Sequence, residues 1–323
     1  MKRRRFLSSA LQAGAAYTWG GFADRAVAFT AASRQSAKKA ERPQLALTMD
    51  DPTLNLQSTM RWQDANARIL KAIDARNVRA ALFVCGMRVD ESDGTKLLTA
   101  WDQAGHLIGN HSYSHLFYGE KTSYGDFAVD FLKNEKIIAP YQNRRSLFRY
   151  PFLKEGDTAE KRDKFRALLK ERGYRVGHVT IDASDWYVNQ RLLHRWETLP
   201  KTPVDAYRDF LIKHLLDRAA FYRQLAVDLF GRDIRNTLLM HFNTLNALVL
   251  PDVMAAFEAA GWQWVDASTA FEDPIFRAQP NTVPAGESLL WGLAKESGRY
   301  LDRLRYPGED GDYERPKMDA LGL

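Results

Sequence analysis

Short apolar runs alternate with longer amphipathic segments along most of this chain, and this alternation limits its fold more than any other feature. The apolar runs have the length of β-strands and cover residues 44–49, 79–84, 106–111, 147–152, 175–180, 236–242 and 262–267. The clearest helical patterns between them cover residues 61–77, 126–141, 160–173, 205–231 and 250–261. Strands that are apolar on both faces and alternate with helices predict a mostly parallel sheet covered by helices. The pattern suits a barrel or a doubly wound sheet, and does not separate the two.

The two ends of the chain differ from this alternating region. Residues 1–28 begin with Lys2 and three arginines, continue with small and weakly apolar residues, and end in an Ala-x-Ala pattern. This order is typical of a cleaved export signal, and Arg-Arg-Arg-Phe-Leu resembles a twin-arginine signal. The alternative is an uncleaved membrane anchor, but the apolar stretch is short and rich in Gly, Ser and Ala, which argues against a stable span. We therefore expect the export machinery as a partner and a periplasmic or extracellular protein. Residues 29–43 are expected to be a linker, 44–271 the folded domain and 272–323 a C-terminal arm or tail.

The net charge gives no reason to expect a nucleic-acid partner. The whole chain carries 46 basic and 40 acidic residues, a net charge of +6. Removing residues 1–28, which hold five basic residues and one acidic residue, leaves 41 against 39, or +2. A nearly neutral domain lacks the electrostatic signature of nucleic-acid binding. The single cysteine, Cys85, excludes an intrachain disulfide, and its apolar neighbours predict a buried, inert thiol.

Polar residues follow two of the predicted strands and suggest a metal site. Asp50 and Asp51 end the first strand, while His111 ends the third and His115 comes four residues later. The carboxyl ends of parallel strands meet at one face of such a fold. Two imidazoles and one carboxylate, supplied by Asp51, form a usual ligand set for a divalent transition metal. Two alternatives remain open: an Asx turn helped by Pro52, and two unrelated histidines with ordinary hydrogen-bond partners.

Later strands carry a second group of polar residues. Arg149 lies within the apolar run 147–152, where a bare charge is costly, so we predict an ion pair with Asp50. The alternative is an arginine whose charged end reaches the surface. The fifth strand is followed by Asp182-Ala-Ser-Asp185-Trp186, and His241 lies at the tip of the sixth. A histidine at that end of a strand is suited to general acid catalysis near neutral pH.

Together these positions resemble the polysaccharide deacetylases, the metal-dependent carbohydrate esterase family four. Five segments match that family's motifs in order: "TMDDP" (48–52), "HSYSH" (111–115), "RYPF" (149–152), "DASDW" (182–186) and "LLMH" (238–241). The resemblance covers about residues 44–270. It implies a distorted (β/α)7 barrel, in agreement with the seven predicted strands.

The resemblance also implies a role for each acid–base residue. Asp50 would be the catalytic base, and Arg149 would orient it and lower its pKa. His241 would be the general acid that protonates the leaving amine. Asp185 and Trp186 would line the site, where the ring of Trp186 is suited to stacking on a sugar.

The implied metal ligands are Asp51, His111 and His115, and the backbone N–H of Phe152 would help to stabilise the oxyanion. This donor set suits zinc, cobalt, nickel or iron, and we expect zinc. The chain departs from the family pattern at Pro52, which follows the paired aspartates without an intervening glycine. We therefore expect an altered first loop. An insertion at residues 187–235 is expected to narrow or cover the groove.

The function implied is that of an exported metal-dependent hydrolase with a carbohydrate substrate. It would remove acetyl groups from N-acetylated sugars of a polysaccharide or oligosaccharide. One alternative is the hydrolysis of another amide or of O-acetyl esters at the same site. The other is a non-catalytic carbohydrate-binding relative, which would be expected to have lost part of the residue set that is present here.

Overall fold

The computed structural model of the chain describes residues 42–304 and 311–323. The expected export signal at residues 1–28 and all but the last two residues of the expected linker lie outside the described residues. Within those two ranges, no helix is both long enough and apolar enough to cross a membrane.

The described chain alternates strands and helices, as the sequence pattern predicts. The strands are β1 (Gln44–Asp50), β2 (Ala81–Val84), β3 (Leu107–Asn110), β4 (Arg144–Phe148), β5 (Lys154–Gly156), β6 (Arg175–Val176), β7 (Arg235–His241), β8 (Gln263–Trp264) and β9 (Ala285–Gly286). The helices are α1 (Trp62–Asp74), α2 (Ser92–Gln103), α3 (Tyr124–Ile138), α4 (Ala159–Glu171), α5 (Asp185–Thr198), α6 (Asp205–Phe230), α7 (Thr244–Ala259), α8 (Ala267–Ala270), α9 (Leu289–Ser297) and α10 (Gly311–Ala320). Short 3-10 turns cover Gly86–Arg88, Pro151–Leu153, Pro274–Arg277 and Leu301–Arg303.

The main sheet has seven strands, and all of their pairings are parallel. Its order is β6-β4-β3-β2-β1-β7, and β8 also pairs with β1. One edge of β1 pairs with β7 along its whole length, while the other edge pairs with β8 at its start and with β2 at its end. The carboxyl ends of β1, β3, β4 and β7 therefore lie at the same end of the sheet.

The sheet curls until its two ends meet, so the fold is a distorted barrel rather than an open doubly wound sheet. Ile181, just beyond β6, pairs with Leu238 of β7. The Ile181 N–H donates to Thr237 O at 3.0 Å, and the Leu239 N–H donates to Ile181 O at 3.1 Å. The predicted distorted (β/α)7 barrel is confirmed, with additional helices after it.

Two predicted strands are shorter than their apolar runs. The run 147–152 leaves the sheet after Phe148, since Pro151 has no N–H for the ladder and begins a 3-10 turn. The run 175–180 ends as a strand at Val176. Gly177 then passes the Phe83 ring so closely that a Cβ atom there would lie 2.4 Å from it. Both early endings release backbone that contributes to the candidate site.

A cluster of aromatic side chains supports one side of the site. Between α3, α4 and β4 it buries Tyr118, Phe127, Phe131, Phe148, Tyr150, Phe165 and Tyr174. Tyr118 stacks on Phe127 with ring centroids 4.1 Å apart, and Tyr150 is 2% exposed. Because the aromatic cluster holds Tyr150 in place, it also fixes the start of the turn that follows Arg149.

The segments that follow the fifth strand and the last strand pack on the barrel. The 26-residue helix α6 lies within the insertion predicted at 187–235 and contacts α5, α7 and α9. In residues 272–304, β9 pairs with β5 in antiparallel fashion. Met318 of α10 and Leu323 at the end of the chain belong to the same hydrophobic core as the sheet.

Candidate active site

The carboxyl ends of the sheet strands open into a cavity of about 830 Å³. Most of the side chains predicted from the sequence line it: Asp50, Asp51, His111, His115, Phe152, Trp186 and His241. Its wall also contains residues from the first loop, among them Thr53, Asn55 and Gln57. One cavity therefore brings together predicted residues as far apart in the sequence as Asp50 and His241, which are separated by 191 positions.

The predicted ion pair between Asp50 and Arg149 is confirmed. Arg149 is 1% exposed, and its Nη1 lies 2.6 Å from Asp50 Oδ1. The guanidinium also donates to Thr48 Oγ1 at 2.9 Å and to Gly177 O at 2.8 Å, and it lies 3.9 Å above the Phe83 ring. Burial raises the pKa of Asp50, while the charges of Arg149 and His241 oppose that rise. Arg149 therefore favours the ionised form of this buried carboxyl group, against the effect of burial.

Asp51, His111 and His115 form a candidate metal site. Each offers one ligand atom, and these atoms lie within 4.8 Å of one another. His111 Nδ1 is 2.8 Å from Arg149 O, so it carries the proton and donates, which leaves Nε2 as the free ligand nitrogen. His115 Nε2 lies 3.5 Å from Asp51 Oδ2. The absent glycine before Pro52 has therefore not moved Asp51 out of reach of the histidines.

The chemistry of this trio fits a divalent cation. Burial lowers the pKa of His111 to about 3 and lowers that of His115 as well, so both rings are neutral near pH 7 and have a lone pair to offer. Within the described ranges, Asp51 Oδ1 is buried and accepts no hydrogen bond, although Arg88 Nε lies 3.4 Å away. Two neutral imidazoles and a carboxylate are a common set in catalytic sites of zinc and related metals, where further positions are left for water or substrate.

Several loop positions of the site adopt the left-handed backbone conformation. The φ angles are 60° at Asp51, 61° at Ser112, 57° at His115 and 56° at Phe152. Such a conformation costs on the order of 1–3 kcal/mol at a residue other than glycine, and it persists only where the surroundings enforce it. Here it occurs in the three loops that bring Asp51, His115 and Phe152 to one cavity.

The loop that carries His111 and His115 is held by Asp130 of α3, which the sequence analysis missed. Its carboxylate accepts from the Tyr113 N–H at 2.9 Å, from the Ser114 N–H at 3.0 Å and from Ser114 Oγ at 2.6 Å. Asp130 is buried on the inner face of α3. A carboxylate among the apolar residues of "DFAVDFL" was the available signal, since a buried charge on a helix needs partners.

His241 forms a buried pair with Asp185. His241 Nδ1 lies 2.7 Å from Asp185 Oδ1, and the His241 N–H donates to Oδ2 at 2.8 Å. Asn246 and Asn243 add amide donors to Oδ2 at 2.6 and 3.3 Å. Asp185 is fully buried behind His241, whereas the resemblance implied that it lines the site. With Nδ1 occupied, Nε2 is the nitrogen that His241 offers to the cavity.

The two members of this pair shift each other's titration. Burial lowers the pKa of His241, but the charge and hydrogen bonds of Asp185 outweigh it and raise the pKa to about 9. Burial raises the pKa of Asp185, but the charge and hydrogen bonds of His241 outweigh that effect and lower it. His241 is therefore protonated near neutral pH, as a general acid must be.

Aromatic side chains form part of the cavity rim. Phe152 is 54% exposed, and its ring lies edge-on to His115 at 4.6 Å and to Phe117 at 5.6 Å. Trp186 follows Asp185 at the start of α5 and lines the cavity. That the Phe152 N–H stabilises an oxyanion stays a prediction.

Three charged residues in the wall were not found from the sequence. Arg88 follows β2 and places Nε 3.4 Å from Asp51 Oδ1, with 38% of its side chain exposed. Lys154 forms an ion pair with Glu287, a residue of the segment 272–304. A charged residue just after a strand, as in "FVCGMR", was a signal for Arg88. The contribution of Glu287 depends on the pairing of β9 with β5, which local pattern does not show.

A family model described as polysaccharide deacetylase matches residues 37–177. Among solved structures, the polysaccharide deacetylase Bc1974 from Bacillus cereus is similar over 70% of this chain and 92% of its own, with 21% identity and a TM-score of 0.51. The wild-type BA3943 of Bacillus anthracis, described as a CE4 family pseudoenzyme, is similar over 72% of this chain and 66% of its own, with 16% identity and a TM-score of 0.50. A BA3943 mutant described as having restored enzymatic activity is similar over 72% and 68%, with 17% identity and a TM-score of 0.50. No curated protein matched. At these identities the structural likeness shows the fold.

Proposed function

From the match of residues 37–177 to the polysaccharide deacetylase family model, we propose that this chain is a metal-dependent hydrolase that removes acetyl groups from N-acetylated sugars of a polysaccharide or oligosaccharide. The observation that carries the proposal is the presence of three complementary parts around one cavity. These are a buried base, a protonated acid and a trio of metal ligands.

The side chains divide the work of hydrolysis between them. Asp50 is paired with Arg149, which favours its ionised form, and it is placed to take a proton from the attacking water. His241 is held by Asp185 and is placed to give a proton to the departing amine. A divalent metal held by Asp51, His111 and His115 would supply Lewis acidity to the acetyl carbonyl and would lower the pKa of a bound water, to about 7 in the case of zinc. Losing either the base or the acid is expected to reduce the rate by about 10²–10⁴.

The neighbouring residues explain why acid and base can act at the same pH. Two groups with opposite tasks need environments that move their protonation states apart. Arg149 provides a fixed cation for Asp50, while Asp185 provides a fixed anion for His241. Arg149 thus favours the deprotonated base and Asp185 the protonated acid, and N-deacetylation needs both forms at one pH.

The test is acetate release by the purified chain, with and without chelator and with added zinc or cobalt. The substrates are acetylated chito-oligomers, peptidoglycan and acetylated xylan, and the products are assayed for free amine and free hydroxyl. Release of acetate with free amine, abolished by chelator and by Asp50→Asn, is the expected result. Free hydroxyl instead of amine would assign the site to O-acetyl esters. No release by a folded protein that binds metal would overturn the hydrolase proposal and favour a carbohydrate-binding relative.

We also propose that the protein is exported by the twin-arginine route and acts in the periplasm or outside the cell. The support is the order of residues 1–28, from three arginines to an Ala-x-Ala pattern. Cell fractionation and N-terminal sequencing test this. A secreted product that begins near residue 29, and that is retained in the cytoplasm when Arg3 and Arg4 are changed to lysine, is expected. A full-length product in the cytoplasm would refute it.

A further inference from the structure

A buried polar chain leads from the last helix of the protein to the start of α5, where Asp185 holds His241. Glu314 of α10 is fully buried, and its Oε2 lies 3.4 Å from Nδ1 of His214 on α6. On the other side of that ring, Nε2 accepts a hydrogen bond from the Ser184 N–H at 2.9 Å. Ser184 directly precedes Asp185. The helices α6 and α10 are thereby connected to Asp185, the residue that holds the proposed acid His241.

The hydrogen bonds determine which form of His214 is present. A backbone N–H can only donate, so Nε2 must be unprotonated and the proton lies on Nδ1, facing the Glu314 carboxylate. Each ring nitrogen therefore has one partner of the required kind. The ring is 5% exposed and lies parallel to the Phe210 ring at 6.4 Å. His214 is thus held in one tautomer and one orientation.

The C-terminal helix and the residues after it also make polar contacts with the middle and the end of α5. Arg191 lies 2.7 Å from Asp319, and it donates to the terminal carbonyl of Leu323. One turn later, Arg195 donates to Gly322 O. These contacts fix the same helix whose first residue is Asp185, so α10 stabilises α5 from two sides.

At the start of α5, the side chain of Ser184 makes no capping bond to the helix, and the backbone N–H of Ser184 is held by His214. The first N–H groups of a helix have no partner within the helix, and those that are buried must find one elsewhere. His214 supplies an acceptor to the Ser184 N–H. The position of the neighbouring Asp185 backbone then depends on His214, and the contact of Asp185 with His241 depends on that position.

We propose that His214, oriented by Glu314, is a positioning residue for the acid pair Asp185–His241. The C-terminal helix α10 is accordingly part of the active-site support. This inference rests on the proposed function, in which His241 is the acid. The insertion contributes His214 and the C-terminal segment contributes Glu314 to the support of that acid.

The test compares variants of His214 with a matched histidine elsewhere. His214→Leu keeps the buried volume but leaves the Ser184 N–H without its acceptor, whereas His214→Gln restores a carbonyl acceptor. His106 is the control, because it is 1% exposed and its Nδ1 accepts from the Ala80 N–H at 3.1 Å, at the opposite end of the strands. His106→Leu therefore makes an equivalent defect far from the acid.

The readout is the titration of the His241 imidazole, followed by NMR in full-length protein with zinc present. In His214→Leu, the midpoint is expected to fall by about one pH unit, the size of one weakened hydrogen bond to a charged partner. It should stay within a few tenths of a unit of the parent in His214→Gln and His106→Leu. In turnover assays the alkaline limb of kcat should move by the same amount, with KM unchanged.

The outcomes separate this inference from the proposed function. The NMR titration needs no turnover, so it decides the positioning role even if the parent releases no acetate. An unmoved His241 midpoint in His214→Leu, or an equal shift in His106→Leu, would overturn the proposal. If His214→Leu does not fold, Glu314→Met replaces it. A fall of the His241 midpoint in that variant supports the proposal, and an unchanged midpoint overturns it.

Discussion

Replacing Arg149 by methionine isolates the electrostatic role of the buried pair. Methionine keeps an unbranched apolar side chain over the Phe83 ring but removes the cation 2.6 Å from Asp50, which is itself 2% exposed. Breaking a buried ion pair on one side costs about 3–5 kcal/mol, since the remaining charge has no compensation. Asp50 is expected to avoid part of that cost by taking up a proton.

The pH dependence of this loss is the specific signature. Burial already raises the pKa of Asp50 against the opposing charge of Arg149, so the pKa should rise further without the arginine. The native variant then holds a proton that the unfolded chain releases above pH about 3.9. Stability must therefore fall as pH increases from there to the new native pKa, by about 1.36 kcal/mol per unit of difference.

Urea unfolding of the metal-free protein at pH 5 and pH 8 measures this effect by circular dichroism. Arg149→Met should lose more stability at pH 8, and the double variant with Asp50→Asn should recover most of the loss and its pH dependence. Arg145→Met is the control: Arg145 lies on the same strand but is exposed, so its replacement should change stability by no more than about 0.5 kcal/mol. Equal losses at both pH values, or additive losses in the double variant, would refute the reasoning.

Other parts of the site give further predictions. Asp185→Asn removes the charge that raises the pKa of His241 to about 9, so the alkaline limb of kcat should move down by about one to two units. In the parent, the raised pKa of His241 stabilises the fold fully below pH 6.5, and this contribution is lost as pH rises through about 9. Between these two pH values, Asp185→Asn should therefore lose most stability at the lower end, which urea unfolding can measure. His115→Ala should weaken zinc binding at least about tenfold in calorimetry, whereas His194→Ala, at an exposed position, should leave it unchanged. Phe152→Gly should be more stable than Phe152→Ala by about 0.5–1 kcal/mol in thermal unfolding, because φ is 56° there.

The part of the site that follows strands directly could be predicted from the sequence. Asp50 ends β1, His241 ends β7, and Arg149 comes one residue after β4. The spacing and length of the apolar runs locate the strand ends, and the parallel arrangement of the strands then places those ends on one side of the barrel. The Asp50–Arg149 pair followed from a further constraint, since a buried charge in an apolar run requires a partner of opposite sign.

The residues that were missed act across pairings that local pattern does not encode. Asp130 belongs to a helix whose apolar face predicts packing, and its role appears only when α3 lies beneath the histidine loop. Glu287 reaches the cavity through a strand of two residues, too short for any periodicity. The resemblance to the family implied that Asp185 and Trp186 both line the site. At the first turn of a helix, however, adjacent side chains point about 100° apart, so only one of them faces the cavity.

The similarity to a pseudoenzyme as well as to a deacetylase shows why the fold alone does not decide catalysis. Catalysis in a barrel of this kind requires buried charges, and burying a charge costs free energy. Asp50, Arg149 and Asp185 are each at most 2% exposed, and each is stable only with its partner in place. A protein that only binds a ligand has no need to maintain a buried base and a buried acid pair, since apolar residues of similar size are often as stable or more so. The presence of both pairs around one cavity therefore supports the proposed hydrolysis, and the gain in stability on replacing a whole pair with apolar residues would measure what that pair costs the fold.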